Sequence, residues 1–434
     1  MLAFTACQSE EDDLFDSSAA ERLAASKITY TQRLPQATAG WAMEFYPTNA
    51  SSGYRGQGYL MLAKFNTDKS VTIGMNNIMT DYEYKEDTSL WEVIADQGPV
   101  LSFNTYNQCL HYFADPAIYD TGLGFEGDYE FEIISLPENA EFAMLKGKKR
   151  STYVRMTRLE EGTDFEEYLQ EVQTFNNTVF PSTAPNKNVM AFSDKNYILS
   201  SAYTGFMNLY PEGEDSIITA TDHAFLITKK GDDFYLRFRD AFSLGEEDDK
   251  IQELVYDKEN DSFRGVENSQ YIIHGANPYI FFSNALCDGH RWQLSRSSDM
   301  SESMAAIFEE MFNGFKAYNR NFALQNVIFS QIVKESSEDF GKLQVDINYR
   351  NSGRAAHVIF YYDIAAEQGI ITISNRQPQG TAETVMDRIN GIEQFLTAIE
   401  GSFSAIPAAS AFNLSTINLI SANDAKLSFV LKYM

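Results

Sequence analysis

Residues 60–75 read LMLAKFNTDKSVTIGM, and this stretch decides the fold class. The apolar run 60–65 is followed by the polar segment 66–70 and then by a second, mostly apolar run, 71–75. Two such runs joined by a few turn-forming residues are typical of neighbouring antiparallel strands. The stretch therefore predicts a strand, a turn and a second strand.

The same rhythm continues toward the middle of the chain. Further strands are predicted at residues 90–94, 100–103, 129–133 and 153–156. Tyr129, Phe131 and Ile133 alternate with acidic residues, which places them on one face of a strand. Strands spaced about ten residues apart, with turns between them, are typical of antiparallel barrels and sandwiches.

The second half of the chain adds strands and two amphipathic helices. Alternating apolar residues predict strands at 234–238, 343–349 and 427–433. Apolar residues at helical spacing predict helices near 301–315 and 383–400. The predicted fold is mainly β with a few helices (α+β), built as two antiparallel β-barrel or β-sandwich-like domains with accessory amphipathic helices.

The domain organisation follows from these elements and from a polar linker around residue 181. A helix and this linker separate two β-rich domains, and a further division of the second domain near 298–320 stays open. The predicted segments are a residual signal peptide and lipobox at 1–7, an acidic tether and N-terminal helix at 8–40, a β-rich domain at 41–160, a helix and linker at 161–185, and a second β-rich domain at 186–434.

The N-terminus carries a candidate lipidation site. Small residues lead up to Cys7, and the acidic segment 8–13 follows it. This pairing resembles the export signal of surface-exposed lipoproteins in the Bacteroidetes, although only six residues precede the cysteine and a full signal needs a longer apolar region. It predicts a lipid anchor through Cys7 in the outer membrane, with the body exposed at the cell surface. The alternative is a plain N-terminus with a chance cysteine.

The charge of the chain limits its partners. Its 434 residues include 61 acidic and 34 basic side chains, giving a formal net charge of −27. A field of this sign repels phosphate backbones, so nucleic acid is not an expected partner.

Motifs for catalysis or cofactor binding are missing from the sequence. The five histidines are scattered, and neither a nucleophile elbow nor a phosphate-binding loop is present. Residues 246–249 read EEDD and could ligate Ca²⁺, but such runs are usually solvated loops. We therefore predict no catalytic residues and no cofactor, with Ca²⁺ as an open option. A disulfide between Cys109 and Cys287 also stays open.

Aromatic side chains are the more natural carriers of function in this sequence. Trp41, Trp91, Tyr106, Tyr112 and Trp292 could form stacking platforms for sugar rings or peptides. The alternative is that these rings simply pack β-sheet cores. We predict ligand binding by these five residues.

Several segments resemble an uncharacterised (domain of unknown function) surface lipoprotein family of gut Bacteroidetes. They are FDSSAAERL at 15–23, GWAMEFYP at 40–47, GPVLSFNTYN at 98–107, HYFADP at 111–116 and LKGKKR at 145–150. The resemblance covers residues 7–160 closely and is poor in motifs beyond them. It implies a lipoprotein encoded near SusC/SusD-type nutrient importers, and often near a zinc-binding peptidase lipoprotein, with no established activity.

Together these observations predict a cell-surface outer-membrane lipoprotein. Its expected role is an accessory binding module, or a subunit, of a SusC/SusD-type uptake system for glycans or peptides. Two alternatives remain at this level: a hydrolase with dispersed carboxylates, and a structural or adhesive surface protein.

Overall fold

A computed structural model of the chain describes residues 17–47, 56–118, 124–333 and 338–434. The chain divides into two compact units: Met1–Thr174 with Ala224–Asp240, and Phe175–His223 with Ala241–Met434. The fold is mainly β with additional helices, which confirms the predicted class. Cys7 lies outside the described residues, and the predicted domain boundaries stay predictions.

The strands form three antiparallel sheets. The first contains β1 Trp41–Tyr46, β2 Tyr59–Phe65, β3 Ser70–Met75, β4 Lys85–Leu90, β5 Glu92–Ala95, β6 Pro99–Ser102, β7 Glu130–Ser135, β8 Phe142–Gly147 and β9 Tyr153–Arg158. The second contains β10 Asn188–Phe192, β11 Lys195–Ser200, β12 Phe206–Pro211, β13 Thr221–Lys230, β14 Asp233–Ser243, β15 Lys250–Asp257, β16 Ser262–Gly265 and β17 Tyr271–His274. The third contains β18 Arg291–Ser295, β19 Phe322–Gln331, β20 Leu343–Asn351, β21 Arg354–Glu367, β22 Ile370–Pro378, β23 Gly401–Pro407, β24 Thr416–Ser421 and β25 Ser428–Tyr433.

The helices lie between and before these strands. They are α1 Ala19–Arg33, α2 Gln108–His111, α3 Phe165–Val179, α4 Ser216–Thr219, α5 Pro278–Cys287, α6 Glu302–Tyr318, α7 Ala382–Met386 and α8 Ile392–Ala398. Within the described ranges, none of them is both long enough and apolar enough to cross a bilayer.

The first sheet has the order β4-β3-β2-β1-β9-β8-β7-β6-β5. The predicted strand, turn and strand over residues 60–75 are confirmed as β2 and β3, in which Phe65 lies opposite Val71. The N–H of Asn66 donates to the Ser70 carbonyl at 2.9 Å and closes the turn. The end strands β4 and β5 are consecutive and separated only by Trp91, which brings the two ends of the sheet together.

Both faces of β1 are buried. Trp41, Met43 and Phe45 point into the core of the first sheet, which is rich in aromatic rings. The other face carries Glu44, which is 1% exposed. Its carboxylate lies 3.5 Å from the Nε of Arg237, on the part of the β13–β14 hairpin that belongs to the same unit.

The second sheet is a closed barrel in which β10 to β17 follow one another in chain order. Its core contains Leu254, Phe263 and Tyr271, none of which is exposed. The Tyr271 hydroxyl accepts from the Leu244 N–H at 2.9 Å and donates to the Asp249 carbonyl at 2.7 Å.

The third sheet, β18 to β25, is also a closed barrel in chain order, and it packs against α6 and α8. The helix predicted near 301–315 is confirmed as α6, with Met304 and Phe308 in the core. The helix predicted near 383–400 is instead interrupted between α7 and α8, where Gly391 has φ 86°. The chain passes so close to α6 here that a Cβ on Gly314 would collide with the Asn390 carbonyl.

Candidate functional site

Four of the five aromatic residues predicted to bind ligand are not freely exposed. Trp41, Trp91 and Trp292 are at most 1% exposed and pack in the sheet cores. Tyr112 is half-buried, and its ring contacts other aromatic rings of the first sheet's core. Tyr106 differs from these, since 66% of it is exposed. Of the predicted residues, Tyr106 therefore marks the surface on which a ligand can stack.

Tyr106 belongs to a row of three rings on the first unit, which we call the aromatic row. The centroid of the His111 ring lies 5.3 Å from that of Tyr106 and 5.0 Å from that of Tyr129. The His111 and Tyr129 planes are inclined by only 24°, so these two rings stack. Tyr129 is itself 46% exposed.

The aromatic row lines an open depression with a volume of about 600 Å³. Most of the side chains that can offer polar or aromatic contacts there come from two short segments, one after β6 and one at the start of β7. They are Asn104, Tyr106, His111, Asp115, Tyr129 and Glu130. A concave surface with aromatic walls and a few polar groups is typical of ligand-binding sites.

Strand pairing brings the two segments together. In the sheet, β6 pairs with β7, and Ser102 lies opposite Glu130. The N–H of Phe103 then donates to the Tyr129 carbonyl at 3.1 Å, which extends the pairing by one residue. Tyr129 precedes β7 and is exposed, whereas Phe131 is fully buried. The predicted alternation of apolar side chains on one face of this strand therefore begins at Phe131 and does not include Tyr129.

Asn107 fixes the loop that carries Tyr106 and His111. Its side chain is fully buried, and its Oδ1 accepts from the N–H groups of Cys109 at 3.0 Å and Leu110 at 3.2 Å, which caps α2. Its Nδ2 donates to the Asp87 carbonyl at 3.0 Å and to the Ser89 hydroxyl at 3.3 Å. The short helix is thereby tied to β4.

The protonation state of His111 follows from the same loop. The backbone N–H of Asn107 donates to His111 Nδ1 at 3.1 Å. A ring nitrogen that accepts a hydrogen bond carries no proton, so the imidazole is neutral in this geometry. Burial also lowers the pKa of His111 below its ordinary value.

Two carboxylates line the depression. Asp115 Oδ1 accepts from the Ala117 N–H at 2.8 Å, which stabilises the turn after the aromatic loop. Glu130 Oε1 accepts from the Ser102 hydroxyl at 3.4 Å. Both acids are held in place by the protein and give the depression a negative charge.

Lys148, the cation paired with Glu130, also contacts a second acid. Lys148 Nζ lies 2.6 Å from Asp96 and 3.4 Å from Glu130. The hydrogen bond from Lys148 lowers the pKa of Asp96. Arg150 likewise lies 3.0 Å from Glu126, so two of the four charges of the basic run at 145–150, which forms a turn, pair within the protein.

Asp128 supports this turn from beneath. Its carboxylate accepts from the N–H of Lys149 at 2.9 Å, from the N–H of Arg150 at 2.9 Å and from the Thr152 hydroxyl at 2.9 Å. Because Asp128 directly precedes Tyr129, the turn and the aromatic row share one rigid support. The segments that carry the family resemblance at 98–116 and 145–150 therefore meet at this site.

The described residues contain no group of three or more His, Cys, Asp or Glu side chains placed to hold a metal ion. At the predicted Ca²⁺ loop, the N–H of Glu246 donates to the Asp249 carboxylate at 3.3 Å within a tight turn. Cys109 and Cys287 are free thiols, the first buried and the second exposed.

Comparison with known proteins adds family membership and little else. No curated protein matches the chain. A double mutant of the vaccine antigen transferrin-binding protein B from Haemophilus parasuis has 8% identity and a TM-score of 0.13, with 91% of this chain and 75% of that chain covered. The β subunit of DNA polymerase III from Pseudomonas aeruginosa has 10% identity and a TM-score of 0.14, with 94% of this chain and 98% of that chain covered. Structural similarities this low support no conclusion about the fold or function of this chain.

A family model described as a domain of unknown function matches residues 11–258. The match includes more than half of the 434 residues and contains all of the aromatic row. The chain therefore belongs to the family of the Domain of unknown function (DUF4302).

Proposed function

We propose that this protein is a glycan-binding module of a cell-surface nutrient-uptake system, and that the aromatic row is its binding surface. The observation that carries the proposal is the exposure of Tyr106 and Tyr129 on either side of His111. Exposed aromatic rings that form a continuous surface mark interaction sites more often than single scattered ones.

The chemistry of the depression suits a sugar chain. The apolar C–H faces of a pyranose ring pack against aromatic rings, while its hydroxyl groups need hydrogen-bond partners around them. Carboxylate acceptors of Asp115 and Glu130 and the amide of Asn104 lie beside the rings. The depression is open, so a long chain can lie across it without threading an end into a closed pocket.

The cellular setting is part of the same proposal. The lipobox-like approach to Cys7, the acidic segment after it and the resemblance to surface lipoproteins support a lipid anchor in the outer membrane. A module held beside a SusC/SusD-type importer would raise the local concentration of captured chains at its entrance. The three tryptophans are not part of the proposed surface because they are buried.

Binding is tested with Tyr106→Ala and Tyr129→Ala against a panel of polysaccharides and peptides, by affinity electrophoresis and calorimetry. Each change should weaken glycan binding about twofold to twelvefold, since an aromatic contact contributes about 0.5–1.5 kcal/mol beyond its buried area. Tyr203→Ala is the matched control, because Tyr203 is 56% exposed and belongs to the other unit. Equal affinity in all three variants would remove the aromatic row from the proposal.

The anchor and the partner are tested in cells. Cys7→Ser should release the protein from the outer-membrane fraction, because a protein without acyl chains loses this source of membrane affinity. The wild type, tagged at its C-terminus and extracted in mild detergent, should bring down a SusC/SusD-type pair in near-stoichiometric amount. Isolation of the protein alone would argue against a subunit role and leave an independent binder.

A hydrolase is the second candidate, since Asp115 and Glu130 line one aromatic depression. Glycoside hydrolysis commonly uses two such carboxylates. Release of reducing ends from a bound polysaccharide, abolished by Glu130→Gln, would favour this candidate over simple binding.

A further inference from the structure

We propose that the aromatic depression selects uncharged glycan chains and rejects anionic ones. This inference rests on the proposed glycan-binding function and names the class of glycan. It concerns sugar chains that carry no carboxylate or sulfate groups.

The charges that line the depression are all of one sign. Asp115 and Glu130 contribute carboxylates, and the described lining includes neither lysine nor arginine. His111 adds no positive charge, because its Nδ1 accepts the Asn107 N–H and the ring is neutral. An anionic sugar placed on the aromatic row would therefore meet two like charges and no compensating cation.

Lys148 does not change this balance. Its ammonium group lies between Asp96 and Glu130, at 2.6 Å and 3.4 Å, and the three side chains together keep a net negative charge. Recruiting Lys148 to a bound anion would leave the carboxylates of Asp96 and Glu130 with weaker compensation. The net charge of −27 adds repulsion from the rest of the molecule.

An uncharged chain avoids this repulsion and still uses the acids. Sugar hydroxyls can donate hydrogen bonds to the carboxylate oxygens of Asp115 and Glu130, and hydrogen bonds to ionised acceptors are stronger than neutral ones. The same two side chains thus attract one class of glycan and exclude the other. Selection by an introduced repulsion is a common source of binding specificity.

The test compares uncharged and anionic polysaccharides on the full chain. The uncharged probes are amylopectin, mannan and mixed-linkage β-glucan, and the anionic probes are polygalacturonate, alginate and chondroitin sulfate. We expect measurable binding to at least one uncharged probe and none, or binding at least about fivefold weaker, to the anionic probes at low salt.

The double variant D115N/E130Q isolates the charge from the shape of the site. Both substitutions keep an oxygen acceptor for the Ala117 N–H and the Ser102 hydroxyl. The variant should bind anionic probes about fivefold more tightly, relative to the uncharged ones, than the wild type does. The control D194N/E259Q makes the same change in net charge at exposed residues of the second unit.

Salt supplies an independent readout. The preference for uncharged chains should shrink between about 10 mM salt, where the Debye length is about 30 Å, and about 1 M salt, where it is about 3 Å. Binding of anionic probes that equals that of uncharged ones, and that Tyr106→Ala abolishes, would overturn the charge selection and keep the glycan site. Absence of binding to every probe would overturn the proposed function itself, and the selection with it.

Discussion

Replacing Asn107 by alanine should destabilise the protein and disable the aromatic row together. The side chain makes four hydrogen bonds from a fully buried position, two to the N–H groups that begin α2 and two to β4. At about 1 kcal/mol for each bond, partly regained where the freed groups reach water, the loss is about 3 kcal/mol of unfolding free energy. Tyr106 and His111 flank this support in the chain, so glycan affinity should fall as well.

Urea unfolding followed by tyrosine and tryptophan fluorescence measures the loss of stability. Asn104→Ala is a matched control in the same loop, because Asn104 is exposed and its side-chain Nδ2 donates one hydrogen bond, to Glu92 at 3.2 Å. It should change the unfolding free energy by less than about 0.5 kcal/mol.

Asn107→Asp separates the two halves of the network. The aspartate keeps acceptors for the Cys109 and Leu110 N–H groups and loses the donor to the Asp87 carbonyl and the Ser89 hydroxyl. An intermediate loss is expected. If Asn107→Ala cost less than about 1 kcal/mol, or left glycan binding intact, the role assigned to this amide would be refuted.

Three further outcomes are expected. Glu44→Ala should lower the unfolding free energy by about 3 kcal/mol, because it removes a carboxylate that lies 3.5 Å from the Nε of the buried Arg237. A loss below about 1 kcal/mol in a denaturant titration would contradict this role of the ion pair. Gly314→Ala should lower the unfolding free energy by at least about 2 kcal/mol through overpacking against Asn390. Gly98→Ala should be nearly neutral, because no atom lies within 4 Å of the added Cβ. Similar melting temperatures for the two variants would argue against the close approach of Asn390 to α6. Burial lowers the pKa of His111 in the folded state, so the contribution of the neutral imidazole to stability is complete above about pH 6.5 and is lost as pH falls through the folded-state pKa. His111→Asn should therefore flatten the dependence of the unfolding free energy on pH in this range. An unchanged slope would count against the buried neutral imidazole.

Local signals predicted individual elements well. The strands on either side of residues 66–70 and helix α6 could be predicted, because a hairpin turn and an apolar helical face are both local features of the sequence. The number of sheets could not be predicted from local patterns. The closure of β18 to β25 into a separate barrel depends on pairing between β18 and β25, which are far apart in the sequence. The interruption before α8 depends on close packing against α6, which no local pattern records.

The candidate site was predictable only in part. Tyr106 was among the predicted aromatic residues, but Trp41 and Trp91 have the same aromatic character and are buried. His111 and Tyr129 were missed as partners because their contact depends on the pairing of β6 with β7. One signal was available in the sequence. Asn107 precedes His111 by four residues, and an asparagine in this position can cap a short helical turn that brings the histidine next to it.

The arrangement of the three sheets limits how this protein can recognise another chain. Two sheets are closed barrels, and the end strands of the other are joined through Trp91. A long free row of backbone donors and acceptors, which an extended peptide could extend as an extra strand, is therefore absent from the two barrels in the described part of the chain, whereas β4 and β5 each pair with one strand only at the ends of the first sheet. The two barrels must therefore recognise another chain through side chains, and their closure protects them from joining edge to edge into fibrils.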